Sequence, residues 1–392
     1  MSYSHGAKCD VLIVSATYGA GHIQVSNALK QGLKSRCPDC RIKIYDYFSF
    51  LDPTLKKFFQ FSYIQMLKHF SKGWEWYYTA TKYIVPNSKW QRFINKMGEK
   101  KLLKVIKNTS PDVIVCTFPT PAGVVSTLKQ DNEIDIPLVT IITDITTHNQ
   151  WVHKYVDAYI VGASIVARNL KRNGISNDNI HVTGIPLRQE FEKTINDPSI
   201  WTRYNLHKNI FTILLMGGGN GLMTGIDELC TKLNGIDMPF QVIAITGTNK
   251  ALAKKLERLK EKCKNPIHVL GYVDDTAQLM EISDVLVGKA GGITIFEAMA
   301  KSLPMIIYNP LPGHEMSNTK FLLRKKAAIV AKDENDVIKY IEELMKYPKC
   351  LDNMKLAMES IAKPLATQHA VDIILKLMEE HKCSSKQKTT TY

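Results

Sequence analysis

An α/β protein in two domains, each a parallel sheet covered by helices, is what the sequence predicts, on three observations. An apolar strand that runs straight into a glycine turn and a helix occurs near the start, where residues 11–14 lead into Ser15-Ala16-Thr17-Tyr18-Gly19-Ala20-Gly21-His22. The same unit returns twice in the second half, at Met216-Gly217-Gly218-Gly219-Asn220-Gly221 and at Gly288-Lys289-Ala290-Gly291-Gly292-Ile293-Thr294. Finally, 392 residues exceed what a single core holds, and a hydrophobic content of 45% suffices for two cores.

The elements follow in order. Strand 11–15 opens on the unbroken apolar run 11–14. Helix 23–34 and strand 42–45 come next. The rhythm breaks over 54–107, which reads as a helical insertion, and resumes with strand 112–117, helix 122–130 and strand 138–143, which ends on Asp144. Strand 158–161 and helix 164–173 follow. Thr183-Gly184-Ile185-Pro186-Leu187 closes the first domain, 1–192, and a polar linker over 193–209 leads into the second, 193–365. There the elements are strand 211–216, helix 225–233, strand 241–246, helix 250–262, and strands 268–270, 285–287 and 305–307. The turn Asn309-Pro310-Leu311-Pro312-Gly313-His314-Glu315 comes last. A helix within 366–383 is expected to return to the first domain, and the Ser-, Lys- and Thr-rich tail 384–392 to be disordered.

The net charge is +14, and the insertion carries most of it. Between Thr54 and Lys107 twelve bases, Lys68 and Lys72 among them, face only Glu75 and Glu99, and twelve aromatic residues, including Trp74 and Trp76, are interleaved with them. That mixture suits the headgroup layer of an anionic membrane; the alternative is that the aromatics pack internally and the lysines merely solvate a surface. No apolar run approaches the roughly 20 residues of a spanning helix, and residues 1–10 lack the apolar core of a secretory signal. A cytoplasmic protein, peripheral on the inner face of the membrane, is expected. The eight cysteines are scattered and expected to be reduced, with Cys37-Pro38-Asp39-Cys40 lacking the second pair a zinc site needs.

The chemistry concentrates at the glycine turns. Gly291 and Gly292 let backbone N–H groups approach an anion, Thr294 reads as the N-cap, and the helix dipole favours a phosphate there. Glu297, placed on the first turn, can accept bonds from ribose hydroxyls. Glu315 and Asn318 share a helix face and can read sugar hydroxyls, or Glu315 simply enriches a helix start with acid. His22 begins a helix, where a lowered pKa keeps imidazole available as a base; an anion-binding or capping role is the alternative. Asp144 is either catalytic or an Asx-turn residue.

These motifs together resemble one family: Ser15 to His22, Thr143-Asp144 with Trp151-Val152-His153, Thr183 to Pro186, Gly217 to Gly221, Lys289 to Gly292 with Glu297-Ala298, and Pro312 to Glu315 with Asn318. They are similar, over residues 8 to about 380, to bacterial processive diacylglycerol glucosyltransferases and plant monogalactosyldiacylglycerol synthases of glycosyltransferase family 28. The resemblance implies a GT-B fold, two Rossmann-like domains facing each other across a cleft, and inverting transfer of a hexose from a UDP-sugar to diacylglycerol or the resulting glycolipid. By motif match, Gly218, Gly219, Gly291 and Gly292 would bind the diphosphate, with Asn220 and Thr294 alongside, Glu297 the ribose, and backbone near Val273 the uracil. Glu315 and Asn318 would bind the hexose, His314 would stand where the family commonly has glutamine, and Gly19 and Gly21 would flank the acceptor. His22, or Asp144, would be the base, and neither a cofactor nor a metal is implied. The first glycine loop lies nearer the bacterial pattern, which favours UDP-glucose over UDP-galactose. Rival readings are a UDP-sugar 2-epimerase and a non-catalytic membrane- or nucleic-acid-binding protein; the insertion argues against the first and the matched donor loops against nucleic acid.

Overall fold

The computed structural model describes residues 9–17, 20–50, 98–146, 148–195, 197–218 and 225–390. They fall into two compact units, one of residues 1–189 with 365–392 and the other of residues 190–364.

In the first unit β1 (Val11–Ser15), α1 (Ala20–Arg36) and β2 (Ile42–Asp46) are followed by α2 (Glu99–Thr109), β3 (Val113–Cys116) and α3 (Pro119–Gln130). After them come β4 (Leu138–Ile142), β5 (Ala158–Val161), α4 (Ser164–Arg172) and β6 (Ile180–His181). The strands form one parallel sheet in the order β2-β1-β3-β4-β5-β6. Every residue of β1, β3, β4 and β5 is buried, because helices cover both faces of a parallel sheet; this is why those strands are predominantly apolar, with Ser15 and Thr140 as the small polar exceptions in β1 and β4. The core gathers Leu12, Val14, Leu102, Ile106, Ile114, Leu128 and Leu170.

The helix α2 shows where the expected insertion ends. Leu102 and Ile106 point into the core, Lys100, Lys101, Lys104 and Lys107 lie in water, and Lys107 pairs with Glu133 at 3.1 Å. Residues 98–107 are therefore an amphipathic helix of the domain itself. The rest of the insertion, with Lys68, Lys72, Trp74 and Trp76, lies outside the described residues.

The chain returns to the first unit through a final helix, Ala366–Thr390, packed on α1. Thr367 Oγ1 accepts from the N–H of Leu187 (3.0 Å) and donates to its carbonyl (2.7 Å). Arg36 pairs with Asp372 at 3.1 Å and Lys382 with Asp112 at 3.2 Å. A Cβ on Gly32 would lie 2.7 Å from Thr367 Cγ2, so glycine permits this close crossing. The helix runs on to Thr390, where the sequence reading has a disordered tail from 384. Once a helix is docked, each added residue gains a hydrogen bond without a new nucleus, and Ser384 Oγ bonds back to the Glu380 carbonyl at 3.0 Å.

The second unit holds β7 (Phe211–Met216), α5 (Ile226–Leu233), β8 (Phe240–Ile245), α6 (Lys250–Lys260), β9 (Ile267–Leu270), α7 (Thr276–Glu281) and β10 (Val285–Gly288). The series α8 (Gly292–Ala300), β11 (Met305–Tyr308), α9 (His314–Arg324), β12 (Ala328–Ala331), α10 (Glu334–Lys346) and α11 (Pro348–Ile361) completes it. Its parallel sheet has the doubly wound order β12-β11-β10-β7-β8-β9. Residues 193–209, expected to be a linker, are strapped to this unit: Glu281 accepts from the N–H of Ile195 (3.0 Å), and Asp275 binds Arg203 (2.6 Å) and Tyr204 Oη (2.9 Å).

Cys37 and Cys40, expected as thiols, form a disulfide just past α1, whose end brings them into one tight turn. Cys9, Cys116 and Cys230 are buried thiols.

Candidate functional site

In a doubly wound sheet, strands to either side of one position run to helices on opposite faces, and a crevice opens at the C-terminal strand ends there. In the second unit that position lies between β7 and β10, where Gly288 pairs with Met216. The two glycine turns singled out from sequence leave the sheet side by side. A Cβ on Gly288 would meet the Met216 carbonyl oxygen at 2.4 Å, so the pairing of these strand ends requires glycine. Gly218, at φ +74°, takes a left-handed turn. Gly219 and Asn220 lie outside the described residues.

After β10 the chain passes Lys289 and Ala290 and enters α8 with Gly291 as its N-cap, in extended conformation and with no side-chain capping bond. The expected cap, Thr294, instead sits inside the first turn. Bare glycines let the backbone enter the helix earlier than a hydroxyl cap would dictate. Glu297 consequently falls on the second turn and not the first, and is buried. The N–H groups opening α8 belong to a terminus with no intrahelical acceptor, and they aim at the crevice with the positive end of the helix dipole.

The helix α9 begins beside this turn, with Gly313 (φ +95°) as its N-cap and His314 as its first residue. Asn318 is fully buried and donates from Nδ2 to the Ala290 carbonyl at 3.0 Å. Glu315, also buried, accepts from the N–H of Leu311 at 2.6 Å. Both side chains therefore fix the shape of the turns. Lys289, absent from the residues selected by sequence, stands in the turn itself: burial pulls its ammonium below the ordinary lysine range, and the Glu315 carboxylate opposes that pull. Val273 lies after β9 at the sheet edge, half-buried, with its carbonyl accepting from Thr276 Oγ1 at 3.3 Å, beside the exposed Tyr272.

The first unit has its own such position, between β1 and β3. Thr117, one residue past β3, bonds Ser15 Oγ (2.9 Å), Ser26 Oγ (3.2 Å) and the His22 carbonyl (3.4 Å), tying two strand ends to the first turns of α1. Asp46, at the end of β2, accepts from Thr17 N–H (3.3 Å) and Thr17 Oγ1 (3.0 Å), holding the start of the glycine loop. Gly21 and His22 are the second and third residues of α1, whereas Gly19 lies outside the described residues.

The His22 ring meets Phe118 edge-on at 5.1 Å between centroids and Trp151 at 6.5 Å, and Phe48 extends this wall through Phe118 at 5.7 Å. Its Nδ1 lies 3.3 Å from the buried Thr143 Oγ1. Asp144 follows Thr143, half-buried. His153 plays a different part: burial pulls its pKa down to about 4, its Nε2 lies 3.3 Å from the Pro119 carbonyl, and it stays neutral inside the fold. Thr143, Asp46, Phe118, Phe48 and Lys289 were not selected from sequence. Thr143 and Lys289 lie within the quoted motifs, whereas Asp46, Phe48 and Phe118 have only their places at strand ends to mark them. Among the described residues no group of three or more His, Cys, Asp or Glu side chains converges.

Two parallel six-stranded sheets of this kind define an α/β protein of the GT-B class, and solved structures share the fold. MurG from Acinetobacter baumannii aligns with a TM-score of 0.63 at 16% identity, covering 94% of this chain and 99% of that one. S. aureus MnaA, in a co-structure with UDP, aligns with a TM-score of 0.60 at 12% identity, covering 93% and 95%. Residues 22–187 match the monogalactosyldiacylglycerol (MGDG) synthase family, and residues 212–372 the C-terminal domain of glycosyltransferase family 28. A processive diacylglycerol beta-glucosyltransferase of Bacillus cereus (strain AH187) is 34% identical over 369 residues, 93% of each chain. One from Bacillus thuringiensis (strain Al Hakam) is 33% identical over 370 residues, again 93% of each. The chain belongs to glycosyltransferase family 28, with the MGDG synthases and processive diacylglycerol glucosyltransferases, and is a glycosyltransferase.

Proposed function

We propose that this chain transfers a hexose, glucose, from a UDP-sugar to the hydroxyl of diacylglycerol, and then to the glycolipid so formed, with inversion at the anomeric carbon. The observation that carries the reading is the uncapped start of α8 at the switch point of the second sheet, in a chain 34% identical to a processive diacylglycerol beta-glucosyltransferase. Amides at Gly291 and Gly292, those of the turn at Gly218, and the Lys289 ammonium receive the diphosphate. Glu297 receives the ribose, the backbone near Val273 the uracil, and His314 and Glu315 the hexose, while Asn318 keeps the Ala290 turn in place.

In the first unit His22 is the base. With its proton on Nδ1 directed to Thr143 Oγ1, the ring takes the acceptor hydroxyl proton on Nε2. The oxygen forms the new bond to the anomeric carbon as the bond to the diphosphate breaks, and UDP leaves with the electron pair. Negative charge grows on the leaving group, where fixed amides and Lys289 stabilise it without reorganising and stand in for a metal. Asp144, beside Thr143, supports the protonated imidazole. Phe118, Trp151 and Phe48 offer the greasy acceptor an apolar wall.

No helix among the described residues is long and apolar enough to cross a membrane. With an acceptor dissolved in lipid and a basic, aromatic stretch over 54–107 in the sequence, we assign the protein to the cytoplasmic membrane face as a peripheral protein. The test is UDP release from UDP-glucose and UDP-galactose, with and without diacylglycerol and with a chelator present. Release that needs diacylglycerol, prefers UDP-glucose and survives the chelator is expected. Release indifferent to diacylglycerol would leave a 2-epimerase or another acceptor, and loss on chelation would overturn the metal-free step.

A further inference from the structure

Asp46 makes more hydrogen bonds than its place in the chain needs. It closes β2, the edge strand beside β1, and the chain bends at once into a 3₁₀ turn, Tyr47–Phe50. An aspartate at such a bend commonly accepts from the N–H two residues on, and Oδ1 does accept from Phe48 N–H at 3.2 Å. One oxygen suffices for that turn. Asp46 also reaches Thr17, 29 residues away in the chain: Oδ1 accepts from its N–H at 3.3 Å and Oδ2 from its hydroxyl at 3.0 Å. Strand register brings them together, since Ser15 pairs with Asp46 and Thr17 follows two residues later.

Both ends of this tie lead to one ring. Beyond Thr17, α1 begins at Ala20 and His22 is its third residue. Beyond Phe48, the aromatic wall passes to Phe118 at 5.7 Å between centroids, and Phe118 stands edge-on to the His22 ring at 5.1 Å. One carboxylate thus joins the chain that leads into the imidazole to the wall beside it, at the C-terminal strand ends where α/β sheets hold ligands. Thr17 is exposed, so its bonds add little to folding, and their effect is on geometry.

We propose that Asp46 is a positioning residue on the acceptor side: through Thr17 and Phe48 it fixes how the His22 ring meets the attacking hydroxyl, and it takes no proton itself. The inference rests on His22 as the base assigned above. A displacement of about 1 Å at a reacting group can cost about 10²-fold in rate, so a tie of small worth to stability can govern turnover.

The full-length chain is assayed with UDP-glucose and dioctanoylglycerol in mixed micelles. Asp46→Ala should lower kcat by about 10- to 100-fold and leave the KM for UDP-glucose within about twofold. Asp46→Asn should recover most of the loss, because its amide oxygen still accepts from both N–H groups and its nitrogen donates to Thr17 Oγ1. In the His22→Ala chain, adding Asp46→Ala should change the residual turnover by less than about twofold, since both substitutions then act on one group. An asparagine variant as damaged as the alanine one would make the carboxylate a charge acting on the reaction. That result, full turnover in Asp46→Ala, a UDP-glucose KM that rises with the loss, or an undiminished second loss in the His22→Ala chain would each overturn the assignment. Were Asp46→Ala not to fold, Thr17→Val, which removes only the hydroxyl tie, must still lower kcat by about 2- to 10-fold; no fall overturns it. A sharp loss in His22→Ala without one in Asp46→Ala removes Asp46 alone, whereas full turnover in His22→Ala removes the base and this assignment with it.

Discussion

At the end of β1 the chain delivers an imidazole into a collar of Phe118, Trp151 and Thr143; at the end of β10 it delivers main-chain amides and a single half-buried lysine. Both places are switch points of parallel sheets. The difference follows from the charge each must handle. Taking a proton needs one titratable group, oriented and partly dried. A diphosphate that gains charge needs several fixed dipoles that do not move during the reaction. Similar backbones thus serve opposite electrostatic tasks, one through a side chain and the other through the lack of one.

The sharpest way to break this comparison is His22→Ala. Turnover should fall by about 10²–10⁴-fold while uridine nucleotide affinity, read by calorimetry, stays within a factor of about two. A fall in both would dissolve the division of labour. Next comes Lys289→Met, expected to weaken UDP binding by about 10- to 100-fold, the worth of a charge-assisted bond. The pH dependence sharpens the point. Burial lowers the pKa of Lys289 in the unliganded protein, and a bound diphosphate raises it again. Above the lowered value binding must take up a proton, so affinity is full below it and declines as pH rises through it, earlier than an ordinary lysine would dictate. The Lys289→Met chain should show no such decline; a parallel slope in both proteins removes Lys289 from the site.

Gly288→Ala probes the scaffold beneath the donor turn. With Cβ 2.4 Å from the Met216 carbonyl oxygen, the strands must part at a cost of about 1–3 kcal/mol, read as a lower thermal midpoint. An unchanged midpoint would show that the strand ends adapt freely. The smallest effect is expected from Thr143→Val: turnover lower by about 2- to 10-fold, the worth of one hydrogen bond, with a displaced acid limb of the pH profile. Thr143→Ser should restore both. A valine variant with the original profile would mean that Thr143 only fills space.

The strands are legible in the sequence wherever burial on both faces demands a mostly apolar run, as at Val11–Ser15 and Phe211–Met216. Less was visible where that force is weak: β12 is a short Ala-Ile-Val-Ala segment after Lys325 and Lys326, and neither it nor α10 and α11 stood out. The glycine turns are legible because Gly288 leaves no room for a Cβ and Gly218 takes a left-handed φ, whereas a capping hydroxyl at Thr294 points to a later start of α8 than the bare backbone gives. Asp46 acts on Thr17 from 29 residues away through a strand pairing, and no local pattern encodes that. Asn318 and Glu315 were found by helical spacing, but spacing says nothing of the Ala290 carbonyl and Leu311 N–H that occupy them.

The final helix that lies on α1 sets the order in which a nascent chain can mature. The ribosome makes β1 early, but Thr367 and Val371, which pack against Gly32, come only after the whole intervening unit of about 175 residues, 190 to 364, has emerged. At about 5–20 residues per second, the α1 surface at Gly32 waits roughly 10 to 40 seconds for its cover. The later-made unit can fold while the earlier one is still unfinished, and the apolar side of α1 is where a chaperone would have work during synthesis.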